Sequence, residues 1–220
     1  MIEALIFDMD GVLIDSMHLH AKAWKDAFME TGIEIDERDI FALEGENDAG
    51  IVRKIVEIHG NNSIDMEELL SDVPARKHEL FDRDSVTLFD DVDGFLREIK
   101  ERFRLAVVSG SDRKIVDIMM EKYFPGIFDA IVSGDDTEKG KPEPEPYNKA
   151  VEMLGMEKND CIVVENAILG VESAKNAGIF TVGLPTDLSR KELEHADIVL
   201  HDHAELFRFI RLLMRNLSAN

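Results

Sequence analysis

Six short apolar runs, each followed by polar or turn-forming residues, constrain the fold of this chain more than any other feature. Runs of Val, Ile, Leu and Ala of this length are typical of strands buried on both faces, as in a parallel sheet covered by helices. Helical patterns separate the later runs, so the sequence predicts a doubly wound α/β fold with a mostly parallel sheet. The runs are Ala4–Phe7, Leu105–Val108, Ala130–Val132, Cys161–Val164, Phe180–Val182 and Ile198–Leu200, and the helices between them are predicted over Lys114–Lys122, Pro146–Leu154 and Gly170–Ala177.

One long segment interrupts this alternation. Between residues 16 and 86 the chain carries amphipathic helical patterns and no convincing buried strand. A helical block of about 70 residues is too long for an ordinary connection between two neighbouring strands. We therefore predict an inserted α-helical domain over residues 16–86, within a core domain made of residues 1–15 and 87–220.

The charge balance limits the classes of partner. The chain has 46 acidic and 25 basic side chains, a formal net charge of −21. Nucleic acids and anionic membrane surfaces are bound by clustered Lys and Arg, so neither is an expected partner.

The single cysteine, Cys161, excludes an intrachain disulfide and fits a reducing compartment. Because the first residues also lack the pattern of a signal peptide, we expect a cytoplasmic protein, and nothing requires more than a monomer.

Polar residues follow four of the predicted strands. In an open α/β sheet, ligands bind beyond the carboxyl ends of the strands, so these residues are expected to lie together. Carboxylate and amide oxygens suit Mg²⁺, while a hydroxyl and an ammonium can donate to a phosphate. The sequence therefore predicts a site for a divalent cation and a phosphate group. Its members are Asp8, Asp10, Ser109, Gly110, Lys141, Glu165 and Asn166, with Ser111 and Lys139 as the nearest alternatives to Ser109 and Lys141.

Four ordered segments carry a family resemblance over nearly the whole chain. They are DMDGVLIDS from Asp8 to Ser16, Ser109 after the second strand, KGKPEP around Lys141, and VVENAILGVESAKNAG from Val163 to Gly178. Together they resemble the haloacid dehalogenase-like superfamily, most closely its β-phosphoglucomutase-like phosphatase branch. DxDG alone is weakly specific, whereas four ordered motifs at strand ends are strongly specific. The resemblance implies a Rossmann-like core with a mobile helical cap that closes over the site.

The resemblance also implies the chemistry, which is covalent phosphoryl transfer through an aspartyl-phosphate. Asp8 would be the nucleophile, and Asp10 would act first as general acid and then as general base. Ser109, Gly110 and Lys141 would hold the transferring phosphoryl group. The implied substrate is a small phosphorylated metabolite such as a sugar or polyol phosphate, and the implied cofactor is Mg²⁺.

In the same way, the resemblance implies that Mg²⁺ is bound by the Asp8 carboxylate, the Asp10 backbone carbonyl and the acids of the last motif. This chain has Glu165–Asn166 where family members commonly have Glu-Asp. An amide keeps an oxygen ligand but removes a negative charge, so metal affinity should fall unless Glu165 coordinates directly. Both residues are metal-site candidates, and the sequence does not decide between them.

A phosphosugar mutase of the same fold is the main alternative to a phosphatase. The mutases carry a basic anchor a few residues beyond the glycine that corresponds to Gly45, whereas Glu46, Asn47 and Asp48 follow here. Hydrolysis is therefore favoured, although Arg53, Arg76 or Lys77 could compensate, and Lys77 is the best placed by resemblance. His20 is a further candidate for substrate contact. A non-catalytic phosphometabolite-binding protein is the third hypothesis.

Overall fold

The core of the molecule is a six-stranded sheet in which every strand pair is parallel. The computed structural model describes residues 1–60 and 65–218. The strands in these residues, in chain order, are β1 Ala4–Asp8, β2 Ile14–Asp15, β3 Thr87–Leu88, β4 Arg104–Val108, β5 Ala130–Val132, β6 Cys161–Glu165, β7 Phe180–Gly183 and β8 Ile198–Val199. Six of them form the sheet in the order β5-β4-β1-β6-β7-β8, which confirms the predicted doubly wound α/β fold.

Nine α-helices are present in the described part of the chain, and the three that the sequence predicts lie within two residues of their expected ends. None of the helices in residues 1–60 and 65–218 is long and apolar enough to cross a membrane. The helices are α1 Met17–Glu30, α2 Glu37–Phe41, α3 Asp48–His59, α4 Met66–Leu80, α5 Val92–Lys100, α6 Arg113–Tyr123, α7 Glu145–Leu154, α8 Ile168–Asn176 and α9 His203–Ser218.

The central strands are apolar on both faces because helices cover both sides of the sheet. In β1, Leu5 and Phe7 belong to one apolar cluster, while Ala4 and Ile6 belong to another on the opposite face. This alternation follows from the two-residue period of a strand. Since β1 lies between β4 and β6, Asp8 at its end sits in the middle of the carboxyl edge of the sheet.

Helices α1 to α4 lie between two short strands, β2 and β3, that pair antiparallel. Asp15 faces Thr87 in this pair, so the chain enters and leaves the helical segment at the same place. The sequence did not predict this ribbon, because a two-residue strand is too short to show any periodicity. The four helices build an apolar cluster of their own, which includes Trp24, Phe28 and Val52. The division into a core and an inserted domain at residues 16 and 86 remains a prediction, and the ribbon lies at those two positions.

Two isoleucine substitutions test where the stability of the sheet comes from. Ile6 in β1 is fully buried, whereas Ile58 in α3 is 62% exposed. Ile6→Ala is expected to lower the free energy of unfolding by about 2–5 kcal/mol through lost transfer energy and the cavity it leaves. Ile58→Ala removes the same atoms and should cost no more than about 0.5 kcal/mol. Urea unfolding followed by circular dichroism measures both, and equal losses would contradict the central position of β1.

Candidate active site

The strand ends bring the predicted polar residues to one edge of the sheet. Asp8 ends β1, Glu165 ends the neighbouring β6, and Ser109 directly follows β4 on the other side of β1. The loop between β5 and α7 carries Lys141 to the same place, where its ammonium group contacts Asp8. All of these side chains are buried. The expected convergence of residues from separate strands is therefore present.

Lys141 links the first and last motifs. Its Nζ donates to Asp8 Oδ1 and, at 2.5 Å, to Glu165 Oε1. Burial opposes the charge on this lysine, but the two carboxylates outweigh that cost and raise its pKa, so it is protonated. Burial raises the pKa of Asp8, as do Glu165 and Asp10, while Lys141 acts in the opposite direction. One ammonium group is thus shared by two carboxylates.

Glu165 is fully engaged by protein donors. Besides Lys141, its Oε1 accepts from the Tyr147 hydroxyl at 2.8 Å, and its Oε2 accepts from the backbone N–H of Ala167 at 2.9 Å. The carboxylate is 0% exposed. These contacts make Glu165 the group that positions Lys141.

Asp10 is held by donors from both parts of the chain. Its Oδ1 accepts from the Ser16 hydroxyl at 2.6 Å and lies 3.1 Å from His20 Nε2, and its Oδ2 accepts from the Ser109 hydroxyl at 3.3 Å. Burial alone would raise the pKa of Asp10, but His20, Ser16 and Lys77 together lower it. Asp10 is therefore ionised in this arrangement, and His20, a predicted substrate contact, lies beside it.

Asn166 is oriented by a glutamate that the sequence reasoning missed. Asn166 Nδ2 donates to Glu44 Oε1 at 2.6 Å, and Glu44 lies in the connection between α2 and α3. Burial raises the pKa of Glu44, and the negative charge of Asp8 adds to this effect. Nothing in the sequence distinguishes Glu44 from the neighbouring acid Glu46, because its burial is set by the packing of that connection against the sheet.

A cavity separates the strand ends from helices α1, α3 and α4. Gly45 and Gly110 border it where the two parts meet, and a β-carbon on Gly110 would lie 2.9 Å from the carbonyl oxygen of Gly45. Of the three basic residues considered as a second anion anchor, only Lys77 lines the cavity. Its ammonium lies 5.1 Å from the centre of the Trp24 ring and 3.5 Å from Asp48 Oδ1. The Lys77 charge is thus already paired with an acid.

A second group of ligand-type side chains lies beside the cavity. His78 Nε2 is 2.8 Å from Asp48 Oδ2 and 3.0 Å from Asp112 Oδ2. These atoms lie close enough together to hold a cation, but the Lys77 ammonium next to Asp48 would oppose one. These polar contacts join α3 and α4 to the loop after β4.

The charges buried in the described part of the chain all belong to this site. They comprise four carboxylates and two ammonium groups, a formal net charge of −2. Burying charge is costly unless it is compensated, so a divalent cation would stabilise this set. Two buried oxygens, Asn166 Oδ1 and Glu44 Oε2, also have no hydrogen-bond partner among the described residues. The residues present therefore fit a hard divalent cation such as Mg²⁺. The charged members are Asp8, Asp10, Glu44, Glu165, Lys77 and Lys141.

Removing the Lys141 charge tests this electrostatic description. Lys141→Met leaves Asp8 and Glu165 without their shared cation and is expected to cost about 3–5 kcal/mol of stability at pH 7 in the presence of EDTA. An acid whose pKa is raised in the folded state destabilises the fold above its unfolded pKa, and protonation at lower pH relieves this effect. The loss should therefore shrink between pH 7 and pH 5. A loss independent of pH, or an equal loss in the exposed control Lys139→Met, would contradict it.

Comparisons with known proteins agree with this geometry. The family model described as haloacid dehalogenase-like hydrolase matches residues 5–184. The chain is 31% identical over 208 residues to Validoxylamine A 7'-phosphate phosphatase of Streptomyces hygroscopicus subsp. limoneus, covering 94% of this chain and 96% of that protein. It is 28% identical over 179 residues to Fructose-1-phosphate phosphatase YqaB of Escherichia coli (strain K12), covering 81% of this chain and 94% of that protein.

A solved structure extends the similarity to three dimensions. A provisionally named beta-phosphoglucomutase from Bacteroides vulgatus superposes with a TM-score of 0.87 at 30% identity, covering 97% of this chain and 89% of that one. The family model spans most of the sheet, including the strand ends that carry Asp8, Ser109 and Glu165. The chain therefore belongs to the haloacid dehalogenase-like hydrolase family, in which it is a phosphoric monoester hydrolase.

Proposed function

We propose that this protein is a Mg²⁺-dependent phosphatase that hydrolyses a small sugar or polyol phosphate through a phosphorylated Asp8. The observation that carries the proposal is the position of Asp8, which lies at the centre of the carboxyl edge, paired with Lys141 and next to Asp10. Helices α1, α3 and α4 enclose the cavity in front of it and would act as the mobile cap, excluding water from the first step.

In the first step, an Asp8 carboxylate oxygen attacks phosphorus, and the ester bond to the substrate oxygen breaks. Lys141 and the hydroxyl of Ser109 offset the charge on the transferring group, and backbone N–H groups near Gly110 can add to this. Asp10 donates its proton to the departing oxygen. The dianionic ester must first raise the low Asp10 pKa so that it carries this proton, which is the expected effect of a nearby like charge.

In the second step, Asp10 takes a proton from water, and the resulting hydroxide displaces Asp8 from phosphorus to release inorganic phosphate. The contacts from His20 and Ser16 favour the ionised form of Asp10 that this step needs. Mg²⁺ would be held by the Asp8 carboxylate, the Asp10 backbone carbonyl and Asn166, where it would offset the phosphate charge and help align the phosphoryl group. Glu165 would act through Lys141, since both of its oxygens are bonded to protein donors.

The residues at the other end of the cavity favour a substrate that has a single phosphate and a body rich in hydroxyl groups. Lys77 is paired with Asp48, and Glu46 with Lys54, so among the described residues that line the cavity no uncompensated cation faces a second phosphate. The apolar and aromatic surface of Trp24, next to acceptors such as Asp48, suits a sugar or polyol. This charge pattern supports hydrolysis over the mutase reaction, and the relative named for fructose 1-phosphate supports the substrate class.

Loss of the proposed nucleophile is the direct test of this function. Asp8→Asn is expected to reduce Mg²⁺-dependent release of phosphate from p-nitrophenyl phosphate by on the order of 10⁴-fold or more. Asp15→Asn, a substitution of an acid that is about half exposed, serves as the control and should retain activity. Turnover by Asp8→Asn at the wild-type rate would refute the proposal. A panel of sugar, polyol and nucleoside phosphates then identifies the substrate, and interconversion of hexose 1- and 6-phosphates would instead identify a mutase.

Asp10→Asn separates proton transfer from metal binding. The variant should lower kcat by about 10²–10⁴-fold, the usual contribution of a general acid or base. Its Mg²⁺ affinity, measured by isothermal titration calorimetry, should stay close to that of the wild type because the proposed metal contact is the backbone carbonyl. A collapse of Mg²⁺ affinity in this variant would contradict the assigned role.

A further inference from the structure

Two buried oxygens without partners lie on either side of one hydrogen bond. Glu44 accepts from Asn166 Nδ2 through Oε1, which leaves Glu44 Oε2 and Asn166 Oδ1 with no partner among the described residues. The two residues are only 6% and 1% exposed. A buried, unpaired oxygen is costly, so two of them on hydrogen-bonded residues in a hydrolase site point to a ligand that both can contact.

The position of this pair identifies the kind of ligand. A β-carbon on Gly11 would lie 2.0 Å from Asn166 Nδ2 and 3.0 Å from Glu44 Oε1, so the pair packs against the backbone next to Asp10. Asn166 also follows β6, the strand beside Asp8. The two free oxygens thus belong to the edge where Asp8 ends β1. Hard oxygens clustered with a carboxylate suit a divalent cation.

The charge balance gives Glu44 a specific role. Asn166 offers an oxygen without a charge, and Glu165 is already committed to Lys141 and Ala167. Without Glu44, the buried acids and lysines would carry a formal net charge of −1. With Glu44 ionised, the formal net charge is −2, which a divalent cation would balance.

We propose that Glu44 completes the divalent-cation site of this protein. It supplies the negative charge that Asn166 lacks, orients the Asn166 amide through their hydrogen bond, and contributes Oε2 as a further oxygen. The inference rests on the proposed Mg²⁺-dependent function. Because Glu44 lies between α2 and α3 rather than in the sheet, cation affinity then depends on how this helical segment packs against the strand ends.

Mn²⁺ binding to the full-length protein without substrate tests this role. Titration followed by electron paramagnetic resonance gives the affinity directly, and no turnover is needed. Glu44→Gln keeps an acceptor for Asn166 but loses the charge, and should weaken Mn²⁺ binding by about 10–100-fold, as losing a metal-site supporting group does. Glu46→Gln removes the neighbouring acid that is paired with Lys54, and should leave the affinity unchanged.

The double variant Glu44→Gln/Asn166→Asp places the lost negative charge at position 166, so it should restore most of the affinity for Mn²⁺. It also controls for folding, since it contains the same change at Glu44. Wild-type affinity in Glu44→Gln, or no recovery in the double variant, would overturn the inference and leave the phosphatase proposal intact. Failure of the wild-type protein to bind Mn²⁺ at all would overturn the metal site itself.

Discussion

The excess of buried negative charge at the carboxyl edge of the sheet is the constraint on which this site depends. Four carboxylates and two ammonium groups are removed from water there, and the described part of the chain buries no other charged side chains. Burial of this kind is tolerated only when the charges compensate one another. The Lys141 contacts to Asp8 and Glu165 provide part of that compensation. The remaining formal charge of −2 would be balanced by the divalent cation that we propose.

The sheet and the helical segment contribute different parts of the chemistry. Asp8, Ser109 and Glu165 come from strand ends, whose spacing is fixed by backbone pairing. His20, Glu44 and Lys77 come from the helices and their connections. In the proposed function, closing of the helical segment over the strand ends would bring His20, Glu44 and Lys77 towards the phosphate, which suits a reaction that must exclude water first and admit it later.

The sequence predicts the sheet and most of the catalytic edge because both depend on local patterns. Continuous apolar runs identify the six strands, and the rule that ligands bind at strand ends brings Asp8, Lys141 and Asn166 together. The β2–β3 ribbon was missed because two residues show no periodicity. Glu44 was missed for a different reason. Its burial depends on packing against residues that are distant in sequence, such as Gly11 and Asn166. The absence of an acid at Asn166 is the sequence feature that could have prompted a search for it.

A crystal structure grown with Mg²⁺ and beryllium fluoride tests the central role of Asp8 and its surrounding charges most directly. We predict a beryllium fluoride group bonded to an Asp8 carboxylate oxygen, with Mg²⁺ bound between Asp8, Asn166 and Glu44. An unmodified Asp8, or Mg²⁺ bound only at Asp48, His78 and Asp112, would contradict it.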